Sequence, residues 1–171
     1  MEENIHFMSL PNRTLVLEVK DPCTQPGQNK NELKMNDKTM YYISTKKEIV
    51  GQSELVIERA SGNDVEIRIE KSARGKDEQE AEDQAKKISV QLSQVDSIIY
   101  VPACFVISKR SDWRVQQLKV IVKIPAGQTL YISPNLKDIL VDADLNEIRW
   151  ISELPGNTWI MTSNGLKQVN P

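Results

Sequence analysis

Apolar residues recur at every second position in many short runs of this chain, the spacing of strands with one face buried. Residues 14–20 (TLVLEVK) place Leu15, Leu17 and Val19 on one face. Residues 40–44 (MYYIS) and 54–58 (ELVIE) are two further strand candidates. Val65, Ile67 and Ile69 alternate with Glu66, Arg68 and Glu70, which predicts a half-buried strand with a charged outer face. The turn signal Ser61-Gly62-Asn63-Asp64 between these last two predicts a hairpin. Ile88, Val90 and Leu92 keep the same period, and residues 98–101 are continuously apolar up to Pro102. Leu118, Val120, Val122 and Ile124 give the cleanest alternation, ended by Pro125 and turned by Ala126 and Gly127. Residues 129–132, 139–141, 148–151 and 159–162 complete the series, separated by Ser133-Pro134-Asn135, Pro155-Gly156-Asn157 and Ser163-Asn164-Gly165.

One segment changes period. Ala81, Ala85 and Ile88 fall at helical spacing and predict a helix over residues 77–88. Asp77 followed by Glu80 resembles a capping box, with Asp in place of Ser or Thr. Acids in the first turns and Lys86 and Lys87 near the end suit the helix dipole. The apolar stripe is narrow, so the helix is expected on the surface, against a sheet. Residues 21–38, rich in turn formers such as Pro22, Pro26 and Gly27, are expected to form a mobile loop.

Short strands at about ten-residue spacing with a single helix predict a mainly β fold. That spacing suits a sandwich, a barrel or a stacked β-solenoid, the last with irregular rungs. Residues 1–50 are read as an N-terminal strand and mobile loop region, and residues 51–171 as a β-rich domain continuous with it.

Composition narrows the function classes. The chain is 39% hydrophobic and 27% charged, with net charge −2. That balance argues against a strongly basic nucleic-acid binder and against a disordered chain. No stretch stays apolar for the roughly 18 residues a membrane helix needs. The start, Met1-Glu2-Glu3-Asn4, lacks the basic and apolar regions of a secretory signal. The chain is therefore expected to be either cytosolic or the soluble piece of a larger membrane protein.

Candidate chemistry is sparse. His6 is the only histidine and lies near an end expected to be mobile, where a general base would lack an orienting partner. No catalytic, cofactor-binding or metal-ligating residue is assigned, and the chain is expected not to be an enzyme. Glu78, Glu80, Glu82 and Asp83 read as a solvated helix face. Asp138, Asp142 and Asp144 lack the glycine and spacing of a calcium loop and read as turn acids. Ala73-Arg74-Gly75-Lys76 precedes the helix and is weighed as an anion site against a plain strand-to-helix turn, which is favoured. The basic stretch at residues 108–114 carries a tryptophan. Arg110, Trp113 and Arg114 form a candidate partner surface, against the reading of a polar loop whose tryptophan covers one end of the core. Trp150 and Trp159 fall in strand candidates and are expected to anchor the core. Cys23 and Cys104 form no CxxC pair; one disulfide and two unpaired buried thiols both remain open.

Several motifs, in order, carry a resemblance. Residues 124–132 (IPAGQTLYI) end one alternating strand and restart another. Ser72-Ala73-Arg74-Gly75 leads into the alanine-spaced helix, and Trp113-Arg114-Val115-Gln116 into the strand that follows. Thr158-Trp159-Ile160-Met161-Thr162 is followed by Gly165-Leu166. Over roughly residues 55–169 this set resembles the C-terminal toastrack, adhesin-like region of Bacteroidetes membrane proteins that carry a phage-shock-protein-C (PspC) domain. The resemblance implies a mainly β fold, an irregular single-stranded β-solenoid or toastrack-like stack of short strands with one surface α-helix, with a β-sandwich as the alternative. It implies a domain anchored through membrane helices upstream of it and facing the periplasm. It also implies a role in envelope stress exerted by binding other proteins, with no cofactor and no catalytic residue to carry over. The rival classes are an adhesin-like or glycan-binding domain and a lyase on a β-solenoid scaffold. The first needs rows of exposed aromatics, and aromatics are only 5% of the chain.

Overall fold

The computed structural model describes residues 1–7, 10, 12–23, 30–35, 38–43, 48–107, 113–147 and 149–170. Among these the fold begins with β1 (Glu2–Phe7), β2 (Leu15–Glu18), β3 (Lys30–Met35), β4 (Lys38–Ile43), β5 (Glu48–Gln52), β6 (Glu54–Arg59) and β7 (Val65–Ser72). The helix α1 (Glu78–Lys86) follows, then β8 (Ser93–Val95), β9 (Ile98–Tyr100), β10 (Cys104–Ile107), β11 (Gln117–Ile124) and β12 (Thr129–Ile132). The chain closes with β13 (Leu140–Ala143), β14 (Asn157–Thr162) and β15 (Gly165–Gln168), with 3₁₀ turns at Pro134–Leu136 and Ile151–Glu153.

Three sheets result. The first runs β1-β7-β11-β6-β13, the second β10-β5-β4-β3 and the third β15-β14-β12-β2-β9-β8. The sequence places β6 and β7 as a hairpin, but β11 lies between them, antiparallel to β7 and parallel to β6. The cause lies in β11 itself. Leu118, Val120, Val122 and Ile124 are buried on one face and Ile121 on the other, so this strand is covered on both sides and belongs at a sheet centre. In the third sheet β2 is likewise central, parallel to both β12 and β9.

The inward residues of the first and third sheets meet in one cluster. Leu55, Ile57, Ile67, Val120 and Val122 come from the first, and Leu17, Ile99, Leu130, Ile132 and Trp159 from the third. Each such buried side chain contributes about 1.5–3 kcal/mol. The fold is therefore mainly β, as the strand spacing predicts. Among the described residues the regular rungs of a solenoid are not evident, because two of the sheets mix parallel and antiparallel pairs, and no sheet closes into a barrel.

Helix α1 forms where its period places it. Asp77 is the N-cap, and its Oδ1 accepts from the Glu80 backbone N–H at 2.8 Å. The return bond is displaced by one residue, since Glu80 Oε2 accepts from the Lys76 N–H at 2.7 Å. Ala85 and Ile88 are the buried stripe, and the helix packs against β7.

Other expectations are corrected. The N-terminus is the strand β1, paired with β7, and His6 lies opposite Glu66 on it. Residues 30–35, expected in a mobile loop, pair with β4 as β3; residues 24–29 and 36–37 of that expected loop lie outside the described residues. Residues 88–92 form no strand, only an isolated bridge between Ser89 and Val106. Of the strand expected at residues 148–151, Ile148 lies outside the described residues and Ile151 begins a 3₁₀ turn.

Gly127 sits at φ +91, with nothing within 4 Å of where a Cβ would point. Only backbone strain opposes a side chain there, so Gly127→Val should cost about 1–2 kcal/mol. Urea unfolding measures this, and an unshifted midpoint would refute the requirement for a positive φ.

Candidate functional site

A cleft of about 770 Å³ opens where the edge of the first sheet meets the segments around β9 and β10. Its walls include Glu3 and Ile5 of β1, Lys71 of β7, Lys20, Tyr100 and Cys104. Lys71 is buried, and its Nζ bonds Glu3 Oε1 at 3.0 Å. The N-terminal ammonium donates to the Lys71 carbonyl at 3.1 Å, so charge and backbone together hold β1 in place. Lys20 Nζ stands over the Tyr100 ring at 5.9 Å. These cations are thus tied to partners within the fold.

The cleft wall also holds the site that sequence spacing could not reveal. β2 pairs with β9 up to Glu18 and Tyr100, and the Val101 N–H bonds the Glu18 carbonyl at 2.8 Å. The two segments run on side by side, and the side chains of Cys23 and Cys104 come close enough to interact. Both are free thiols, each half-buried. The contact with Cys104, reinforced by burial, pushes the Cys23 thiol far up. Donation from Cys23 holds the Cys104 thiol below its ordinary value, against the opposing effect of burial.

The residues singled out in the sequence fall differently. Arg110 lies outside the described residues. Trp113 is half-buried and packs against the core cluster, and its buried Nε1 has no hydrogen-bond partner among the described residues. Arg114 Nη2 lies 3.7 Å from Glu80 of α1, and its carbonyl accepts from the Arg74 N–H at 2.7 Å. Val115 follows at φ +54, a left-handed conformation that a β-branched residue rarely adopts. Trp113 and Arg114 therefore sit in a constrained corner beside the helix. Asp77 takes the Glu80 amide and Glu80 takes the Lys76 amide, so the segment at residues 73–76 is built as a strand-to-helix turn. Asp144 Oδ2 accepts from the Arg59 N–H at the end of β6 at 2.8 Å and Asp142 Oδ1 from the adjacent Ala143 N–H at 2.9 Å, so both carboxylates serve backbone amides. No group of metal-ligating side chains occurs among the described residues.

Of the two tryptophans expected in the core, Trp159 is fully buried and Trp150 is 79% exposed. Trp150 precedes the 3₁₀ turn that packs on β13, and its N–H donates to Glu153 Oε2 at 2.9 Å. Beside it, Arg149 Nε pairs with Glu147 at 3.1 Å, and the guanidinium lies 5.7 Å from the Trp159 ring centre. The backbone is pinned while the indole stands in solvent. The other large apolar side chains exposed among the described residues belong to sheet edges: Met1 before β1, Val95 on β8 and Val141 on β13. The β13 edge is broken by a register shift between Leu140 and Asp142, a feature that discourages indiscriminate strand pairing. No helix among the described residues is long and apolar enough to cross a membrane.

Comparison with known families matches residues 43–171 to the family described as ToastRack found in some PspC. No curated protein and no solved structure matches the chain.

Proposed function

The chain belongs to the toastrack family found in some PspC proteins, and from that premise we propose that it is a non-catalytic interaction or sensor domain of a PspC-like envelope-stress protein. In this reading it is anchored through a membrane segment outside the present sequence and faces the periplasm. It acts by binding a protein partner.

The observation that carries the reading is Trp150. A tryptophan 79% exposed on an anchored turn leaves a large apolar ring in water, and nothing in the fold gains from that exposure. Tryptophan and arginine dominate interface hot spots, and Arg149 adjoins Trp150. Val141, on the edge strand β13 that the 3₁₀ turn packs against, is a second exposed apolar side chain at 49%. The Arg-Trp composition that the sequence offered at residues 110–114 thus recurs at residues 149–150, on a surface free to meet a partner. Arg110, Trp113 and Arg114 remain a secondary proposal, with Trp113 the member most committed to packing.

Trp150→Ala should leave the melting temperature unchanged within a degree or two, because little of the ring is buried, while partner capture falls by roughly 2 kcal/mol, or about thirtyfold. Cross-linking and pull-down from membranes of the source cells, with wild type and variant in parallel, measure this. Equal capture by both proteins would reject the Trp150 surface. Trp113→Ala provides the contrast: its contacts with the core predict a stability loss of about 2–4 kcal/mol.

A further inference from the structure

We propose that Cys23 and Cys104 form a reversible intramolecular disulfide that clamps the segment following β2 to β10 on the wall of the cleft. Three observations place the two sulfurs for this. The pairing of β2 with β9 brings the chain after Glu18 alongside the chain after Tyr100. Asp21 and Pro22 on one segment, and Ala103 and Cys104 on the other, line the same cleft. The two thiols are close enough to interact, both free and both half-buried. A bond between them needs only local adjustment of two segments that already run side by side.

The oxidant is a disulfide of the glutathione class. Cys104, held toward its thiolate by Cys23, attacks one sulfur of glutathione disulfide. The S–S bond of the reagent breaks, and one glutathione leaves as thiolate and takes up a proton. Cys23, losing its proton to solvent, then attacks Cys104 Sγ and displaces the second glutathione. The two protein thiols give up two protons and two electrons, and one glutathione disulfide becomes two glutathione thiols. Reduction runs the same steps backwards.

The bond would close a loop of about 80 residues, the range in which a cross-link restricts the unfolded chain strongly. It would also fix Lys20 and Asp21 against the β10 side of the cleft, so the shape of that opening would report the redox state. The proposal does not depend on the Trp150 surface, and its test does not involve a partner.

The fully reduced chain, incubated with glutathione disulfide, should lose both titratable thiols and two hydrogens in intact mass. A digest without reductant should join the Cys23 and Cys104 peptides, and Tm should rise by roughly 10 °C, reversed by dithiothreitol. In Cys23→Ser the serine hydroxyl still donates toward Cys104, and a stable glutathione adduct should form on Cys104. That adduct should form roughly tenfold faster than the adduct on Cys23 in Cys104→Ser. A wild-type chain that retains bound glutathione, that cross-links between copies, or that keeps both thiols under excess oxidant would overturn the proposal. The wild-type readings stand alone if either serine variant fails to fold.

Discussion

Trp159→Ala is expected to destabilise the domain by about 4–5 kcal/mol, enough to leave a marginally stable fold largely unfolded near physiological temperature. Trp159 lies on β14, opposite Leu130 of β12, and none of its surface reaches solvent. It is among the largest fully buried side chains of the chain, so truncation opens the largest void that one substitution can make here. Its Nε1 also donates to the Leu154 carbonyl at 3.0 Å. Removing the ring leaves that carbonyl buried without its donor, which adds about 1 kcal/mol or more to the packing loss. Trp159→Phe separates the two contributions. It fills most of the space and loses the donor, so its cost should be about 1–3 kcal/mol. Urea unfolding followed by circular dichroism measures both. A Trp159→Ala variant within about 1.5 kcal/mol of wild type would mean that this tryptophan is not a keystone of the core.

Trp159 was legible in the sequence as a core anchor, and Trp150 was misread, for one physical reason. Residues 149–151 and 158–160 both mix apolar and β-prone types, and local pattern cannot distinguish them. What separates them is tertiary: β14 finds a partner on each side, β12 and β15, whereas the chain at Trp150 turns into a 3₁₀ segment ahead of Pro155. The individual strands β2, β6, β7, β12 and β14 were legible because each buries alternate residues, and β11 because Leu118, Val120, Val122 and Ile124 keep that period even though Ile121 is buried on its other face. Their order in the sheets was not. A turn signal such as Ser61-Gly62-Asn63-Asp64 reports that the chain reverses, and says nothing of whether a third strand fills the space between. β1 was missed because its inward positions are Glu3, Ile5 and Phe7, and the alternation shows only once Lys71 supplies a buried partner for Glu3. Whether the two thiols meet was left open for a related reason. Cys23 and Cys104 are far apart in sequence, and only the parallel pairing of β2 with β9 brings them together. Family membership, by contrast, was carried by ordered local motifs, which survive without knowledge of topology.

Gly165→Ala should cost about 3–5 kcal/mol, well above the 1–2 kcal/mol expected for Gly127→Val, although the added side chain is smaller. Both glycines have positive φ, +116 at Gly165 and +91 at Gly127. Their surroundings differ. At Gly127 a Cβ would meet open space, and only the strain of the left-handed backbone opposes it. At Gly165 a Cβ would stand 2.7 Å from the Leu145 carbonyl carbon and 2.9 Å from the Asn146 nitrogen. These are backbone atoms and cannot swing aside as a side chain can. The same two segments are bonded at this point: the Leu166 N–H donates to the Asp144 carbonyl at 2.8 Å, and the Asn146 N–H to the Leu166 carbonyl at 3.0 Å. Relieving the clash requires β15 to draw away from residues 144–146, which breaks both bonds and exposes the fully buried Leu166. The contact also joins the third sheet, through β15, to the chain leaving β13 at the edge of the first. Loosening it should therefore raise amide hydrogen exchange in β13 as well as in β15, whereas Gly127→Val should leave β13 protected. Equal costs at the two glycines, or a Gly165→Ala variant with wild-type exchange in β13, would show that this backbone junction does not couple the two sheets.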